Sequence, residues 1–220
     1  MEAAVSRLRL AFERVSRALA HCAAVMIVCA AATSHAEAWL PSAEDRAALE
    51  RREVVVHSEE LPDQPASERG REVRAAIRIR ASAEKVFSVM TDCSSALQFV
   101  PHMKKCILLA RDPVTGADTI EHVMDYGWYA PAGEYVFRVD YVPNRAVVFK
   151  AVSGDLERNE GRWELTPLKA DPVTGVPETL LTYRVSVVPR FRVPQSWVRM
   201  SLKRELPRML AALREFSERS

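Results

Sequence analysis

A chain of 220 residues, 48% of them apolar, is long enough to bury one substantial core and short for two, so one main domain is expected. Its 31 basic and 29 acidic residues nearly cancel, which excludes a general nucleic-acid binder, since that function needs a strong basic excess. The seven glycines form neither a phosphate-cradling loop nor a G-x-S-x-G elbow, and His21, His35, His57, His102 and His122 show no metal-ligand spacing, so no metal, cofactor or catalytic motif is read.

The first 36 residues stand apart from the rest. Arg7, Arg9, Arg14 and Arg17 precede the apolar run Cys22 to Ala32, and Ser34, His35 and Ala36 follow as a small-x-small site. That order is expected of a secretory signal peptide, residues 1–36, cleaved after Ala36 or, as the alternative, after Ala38, with an exported, periplasmic product. A retained anchor needs about 20 apolar residues, and this run is shorter. Removal of residues 1–36 takes away four arginines and two glutamates, which leaves 27 basic and 27 acidic side chains. Residues 37–72 then read as an N-terminal extension and linker, and 73–220 as the main domain.

Ser42 to Arg52 reads as a short helix capped by Ser42, with Glu44 and Asp45 in its first turn. Val54 to His57 is a candidate strand, and Pro62 to Gly70 is a polar connection rich in breakers. Val73, Ala75, Ile77 and Ile79 alternate with Arg74, Ala76, Arg78 and Arg80, the pattern of a half-buried strand whose arginine face meets solvent. Ser82 caps a helix through Thr91, and a second short helix runs from Ser95 to Pro101.

From Lys104 onward the pattern predicts strands only: Lys104 to Arg111, Thr119 to Tyr129, Glu134 to Val142, Ala146 to Val152, Gly161 to Leu168 and Thr179 to Val188. Turn residues separate them at meander spacing, so antiparallel hairpins are expected. The pentapeptide Asp-Pro-Val-Thr-Gly occurs at Asp112 and again at Asp171, each time between strands, where Pro presets the turn and Gly supplies a positive φ. Cys93 and Cys106 either pair, closing a short loop worth about 3 kcal/mol, or remain two separate buried thiols. The separate thiols are the preferred reading, because sequence does not show the distance between them.

The last stretch, Pro194 to Ser220, predicts one long amphipathic helix. Val198, Leu202, Leu206, Met209, Leu213 and Phe216 recur at spacings of three and four, opposite Arg199, Lys203, Arg204, Arg208 and Arg214. Pro207 should kink it near Lys203. Such a stripe needs a partner surface, and a sheet wrapped around the helix provides one. From Arg190 to Ser220 there are eight basic residues against three acidic, a surplus suited to peripheral contact with an anionic membrane.

Strand, two short helices, an antiparallel run and a closing helix give an α+β helix-grip order. The stretch "ASAEKVFSVMTDCSSALQFVPHMKKCILLARD", with "GRWELTPL", "TLLTYRVSVVPRFRVP" and "LKRELPRMLAALREF", resembles START-like (SRPBCC) proteins of the polyketide cyclase/dehydrase superfamily, in particular the coenzyme Q-binding branch. His102 stands where that branch often has tryptophan. The resemblance implies a curved antiparallel sheet around the C-terminal helix with a cavity between them for a hydrophobic small molecule or lipid, quinone-like compounds among them.

Charges register the strand faces. Glu134, Arg138 and Asp140 point one way, which directs Tyr135, Phe137, Val139 and Tyr141 toward the helix. The same rule places Phe149, Trp163 and Tyr183 there, and Ile120, His122, Met124, Tyr126 and Trp128 together on one face of the long strand. Phe87 and Phe99 from the short helices and Trp197 and Leu202 from the last helix complete the candidate lining. Rings with a few polar tips suit an apolar ligand. Two other readings stand: a cyclase or dehydratase using His122, Tyr126, Tyr141 and Tyr183 as acid and base, and a protein-interaction module whose rings simply fill the core.

Overall fold

The computed structural model describes residues 39–61, 70–127, 132–190 and 200–219, all within one compact unit, Ala38–Ser220. In chain order the elements are α1 (Ala43–Glu50), β1 (Val55–Glu60), β2 (Arg71–Ile79), α2 (Ala83–Thr91), α3 (Cys93–Phe99), β3 (Met103–Arg111), β4 (Asp118–Met124) and β5 (Gly133–Val142). They continue with β6 (Ala146–Gly154), β7 (Leu156–Leu168), β8 (Glu178–Pro189), a π-helical turn (Ser201–Glu205) and α4 (Leu206–Glu218). The eight strands form one antiparallel sheet in the order β1-β2-β8-β7-β6-β5-β4-β3. β3 to β8 meander, while β2 inserts between β1 and β8, so the sheet curves around α4 as the helix-grip order requires.

Local chemistry starts these elements at or near the residues that the sequence predicts. Ser42 forms a capping box with Asp45: its Oγ accepts from Asp45 N at 3.1 Å, and its own N–H donates to Asp45 Oδ2 at 2.9 Å. Ser82 caps α2 by accepting from Lys85 N. α3 begins two residues before the expected Ser95, because Asp92 is the cap, accepting from Ser95 N at 2.8 Å. The two Asp-Pro-Val-Thr-Gly loops adopt one geometry. Asp112 and Asp171 each accept through Oδ1 from the N–H groups two and three residues on, and Gly116 and Gly175 take φ values of 72° and 71°.

One face of the sheet carries the core. Ala75, Ile77 and Ile79 of β2, Leu181 of β8 and Leu165 of β7 meet Val86 and Val89 of α2, Ala96 and Phe99 of α3, and Leu210 and Leu213 of α4. The opposite, convex face is charged and internally paired. Glu72 sits between Arg74 and Arg184, with hydrogen bonds at 2.7 and 2.8 Å, and Arg162 pairs with Glu164, Arg138 with Asp140, and Arg78 with the buried Glu178. The arginine face of β2 is therefore outward, as expected, except that Ala76 is fully buried beneath Leu49 of α1.

Three features depart from the sequence reading. Cys93 and Cys106 are joined in a disulfide with a Cα–Cα distance of 5.2 Å, which corrects the preferred reading of two separate thiols. β4 ends at Met124, well short of Tyr129, since Asp125 N donates to His102 O, Asp125 Oδ1 accepts from Gly127 N, and Gly127 turns at φ 69°. The final helix is divided: Leu206 N donates to Ser201 O, five residues back, so the turn ahead of Pro207 is π and not α. That turn contains Lys203, whose carbonyl the Pro207 ring would meet in a regular helix.

The far end of α4 is clamped. Glu218 accepts from Arg52 Nη2 at 2.7 Å and from Arg80 N at 2.8 Å, while Arg214 Nη1 donates to Arg52 O at 2.7 Å. These bonds fix the C-terminal helix to the α1–β1 corner and to the end of β2.

Candidate functional site

The register brings most of the expected ring residues to one face. Across β4, β5 and β6, His122 pairs with Tyr135, Ile120 with Phe137, Val139 with Phe149 and Tyr141 with Val147. Across β6, β7 and β8, Val147 pairs with Trp163, and Trp163 with Tyr183. Residues directly opposite share a side of the sheet, so these rings form one continuous inner surface.

They touch in sequence along it. The His122 and Phe137 ring centroids lie 5.4 Å apart, Phe137 and Phe149 meet edge to face at 5.9 Å, Phe149 and Tyr183 stack at 6.2 Å, and Tyr183 and Trp163 stack at 3.9 Å. Tyr135 joins Phe137 at 6.3 Å, and Phe87 of α2 meets Tyr141 at 6.2 Å from the helical side. Phe137 is buried, while His122, Tyr135, Tyr141, Phe149, Trp163 and Tyr183 are half-buried.

Gly161 makes the center of this run possible, and ring-picking from sequence passed over it. It lies opposite both Phe149 and Val185. A Cβ there would come 2.7 Å from Phe149 Cζ and 2.4 Å from Arg184 O, so only glycine lets the Phe149 ring lean across toward Tyr183. The sequence reading starts this strand at Gly161, whereas the structure carries it back to Leu156, so the glycine lies inside a strand, where it marks a close approach.

The polar members divide into two kinds. Tyr141 is tied into a structural knot: its Oη donates to Asp118 Oδ2 at 3.0 Å, and Asp118 also receives Arg111 Nε at 2.7 Å and Nη2 at 2.8 Å. Arg111 is the main cause that holds the Asp118 carboxyl below its ordinary pKa, against the opposing effect of burial. Burial and the Asp118 carboxylate together push the Tyr141 hydroxyl up. Tyr135 shares a hydrogen bond with Tyr126, which sits on the turn after β4 with its ring 5.5 Å from that of His102.

His122 and Tyr183 are different. Neither the imidazole nor the phenol has a hydrogen-bond partner among the described residues, and burial is the one cause of the displacement of each pKa, His122 down to about 4 and Tyr183 upward. Both keep some accessible surface while crowded by protein.

The remaining expected lining residues are placed as follows. Phe99 is buried in the core under α3, Met124 and Phe87 pack against that core, and Leu202 is half-buried on the π turn. Tyr126 has left the strand on which it was expected to share a face with His122. Trp128 and Trp197 lie outside the described residues. His102, with φ 66°, contacts Glu205 of the π turn at 3.3 Å, so the start of the final helix is pinned to the α3–β3 corner.

A curved antiparallel sheet closed over a C-terminal helix, with rings along its inner face, is the START-like helix-grip architecture. The chain belongs to the polyketide cyclase/dehydrase and lipid transport family, whose model matches residues 79–214. Among solved structures it is similar to a START superfamily protein from Mycobacterium smegmatis, 24% identical with a TM-score of 0.56, covering 67% of this chain and 97% of that one. It is also similar to the Zhui aromatase/cyclase from Streptomyces sp. R1128, 18% identical with a TM-score of 0.55, covering 68% and 94%. A protein from Thermus thermophilus is 18% identical with a TM-score of 0.51, covering 66% and 96%. At these identities the likeness is one of fold. No curated protein matches this chain in sequence.

Proposed function

We propose that this protein binds and carries a hydrophobic small molecule or lipid between the ring-lined face of the sheet and the C-terminal helix, and that it does so outside the cytoplasm. The observation that carries the reading is the continuous run His122–Phe137–Phe149–Tyr183–Trp163, whose polar groups on His122, Tyr183 and Trp163 have no hydrogen-bond partner among the described residues. Each ligand CH₂ removed from water against such rings contributes about 0.8 kcal/mol, so burial alone supplies affinity. A quinone-like compound, flat and apolar with carbonyl oxygens, fits this chemistry.

Binding is favoured over turnover by the state of the polar groups. A general base works best with a pKa near the operating pH, and burial holds His122 at about 4, a weak base at neutral pH. Tyr183 and Tyr141 are both pushed up, which makes them poor acids. A cyclase of this fold would instead lose turnover and keep binding in His122→Ala or Tyr126→Phe.

The Cys93–Cys106 disulfide supports export, since such bonds persist in oxidising compartments. The exposed Lys203, Arg204 and Arg208 support peripheral contact with anionic lipid. Cell fractionation with N-terminal sequencing of the mature protein is expected to find it in the periplasm beginning at Glu37. Native mass spectrometry followed by lipid extraction tests the carrier function. A stoichiometric apolar molecule released on denaturation is the expected result, and a clean apo mass from protein purified out of its native compartment would overturn the reading.

A further inference from the structure

Among the described residues, the inner face offers an anion almost nothing. Among the described residues, two guanidiniums share the register parity of that face, Arg71 and Arg111, both at strand ends. Arg71 Nε donates to Ser58 Oγ at 2.7 Å and its Nη1 lies 3.6 Å from Glu60, while Arg111 is held by both oxygens of Asp118. On the last helix Lys203, Arg204 and Arg208 are exposed to solvent, and Arg214 donates to Arg52 O. A carboxylate or phosphate seated among the rings would be stripped of water with no free counter-charge among the described residues of that face to replace it, a costly arrangement.

Neutral oxygen, in contrast, finds groups here that both donate and accept. The His122 imidazole and the Tyr183 hydroxyl lie at opposite ends of the run through Phe137 and Phe149, on strands four positions apart in the sheet. A neutral imidazole both donates and accepts, as does a phenol, so either group pairs with a carbonyl or a hydroxyl. Each residue keeps some accessible surface, so a ligand oxygen would take the place of water there.

We infer that the ligand is a neutral apolar molecule bearing carbonyl or hydroxyl oxygen, that His122 and Tyr183 are the specificity-determining groups that bond it, and that anionic lipids such as fatty acids are selected against. The inference rests on the binding function proposed above and narrows its ligand class. Burial supports it independently, because an imidazole held down to about 4 stays uncharged at neutral pH and gives an anion no attraction.

Two fluorescent probes with one skeleton test it. N-phenyl-1-naphthylamine is neutral, and 8-anilinonaphthalene-1-sulfonate adds a sulfonate. The neutral probe is expected to bind the full-length mature protein at least tenfold more tightly. Equal or tighter binding of the sulfonate overturns the selection for neutral ligands and leaves the carrier function standing, whereas no binding of either probe overturns both. Displacement of the neutral probe by 1-naphthol and by naphthalene then reads the polar groups. Tyr183→Phe keeps the stack on Trp163, and His122→Phe keeps a ring against Phe137. At least one of these variants is expected to lose about fivefold in 1-naphthol affinity with naphthalene unchanged. Parallel changes for the two competitors, or no change in either variant, overturn the assignment of His122 and Tyr183.

Discussion

Cys106 and His122 are register partners across β3 and β4, so the disulfide to Cys93 closes the α3–β3 corner one strand away from the unpartnered imidazole. The bond joins the first residue of α3 to the edge strand of the sheet. It thus holds a helix against a strand that has a neighbor on a single side.

The disulfide spans a sequence separation of 13 residues, for which loop-closure entropy gives about 3 kcal/mol. The Cys93→Ser/Cys106→Ser protein is expected to unfold at lower urea concentration by an amount of that order, and addition of reductant to the parent protein should reproduce the shift. A midpoint that moves in neither case would show that the α3–β3 corner is held by packing alone.

His122 sets a pH dependence. Its folded pKa of about 4 lies below the unfolded value near 6.5, so below pH 6.5 the unfolded chain binds the proton first. Stability is full above that value and falls as the pH drops toward 4, by roughly 1 to 3 kcal/mol. His122→Phe should flatten the loss over this window in denaturant titrations, and an unchanged slope would place the acid sensitivity elsewhere.

Gly161→Ala sets a Cβ against the Arg184 carbonyl, which cannot swing aside as a flexible side chain would. The substitution is expected to destabilise by about 1 to 3 kcal/mol. It should also displace Phe149 from Tyr183, seen as altered near-ultraviolet circular dichroism. A variant of parental stability and spectrum would refute the close approach.

Asp118 anchors Arg111 and Tyr141 from a nearly buried position. Its depressed pKa means that the stabilisation is present at neutral pH and is lost as pH falls through the folded value, below the ordinary carboxylate range. Asp118→Ala is expected to cost about 1 to 3 kcal/mol and Tyr141→Phe about 1. A double-mutant cycle that shows no coupling between the two would mean that the hydrogen bond contributes nothing.

Much of the fold was legible because local chemistry agreed with it. The alternation of Val73, Ala75, Ile77 and Ile79, the caps at Ser42 and Ser82 and the twin Asp-Pro-Val-Thr-Gly loops each fixed an element, and strand parity put Phe137, Phe149, Trp163 and Tyr183 on one face. What was missed depends on distant geometry. Tyr126 continues the period of β4 in sequence, yet Asp125 bonds the turn at His102 and draws the chain off the sheet. Leu210, left out of the helical stripe although it lies four residues after Leu206 and three before Leu213, is one of the two most buried side chains of the helix. The apolar run Ile107–Leu108–Leu109 is 41 to 50% exposed, because it happens to form the outermost strand, and position in a sheet is not written in a strand's own residues.

The burial of Ala76 beneath α1 bears on where this protein can be cut. The segment shared with the family starts at residue 79, the last residue of β2, and so omits α1, β1 and nearly all of β2. Trimmed to that segment, residues 79–214, the chain would bare the flank of β8 along its whole pairing with β2 and lose both Arg52 and Glu218, whose pairing holds the end of the last helix. The smallest piece with a closed architecture therefore reaches back to Trp39, which packs with Ala48 and Leu180 around Leu49, Val55 and Ala76.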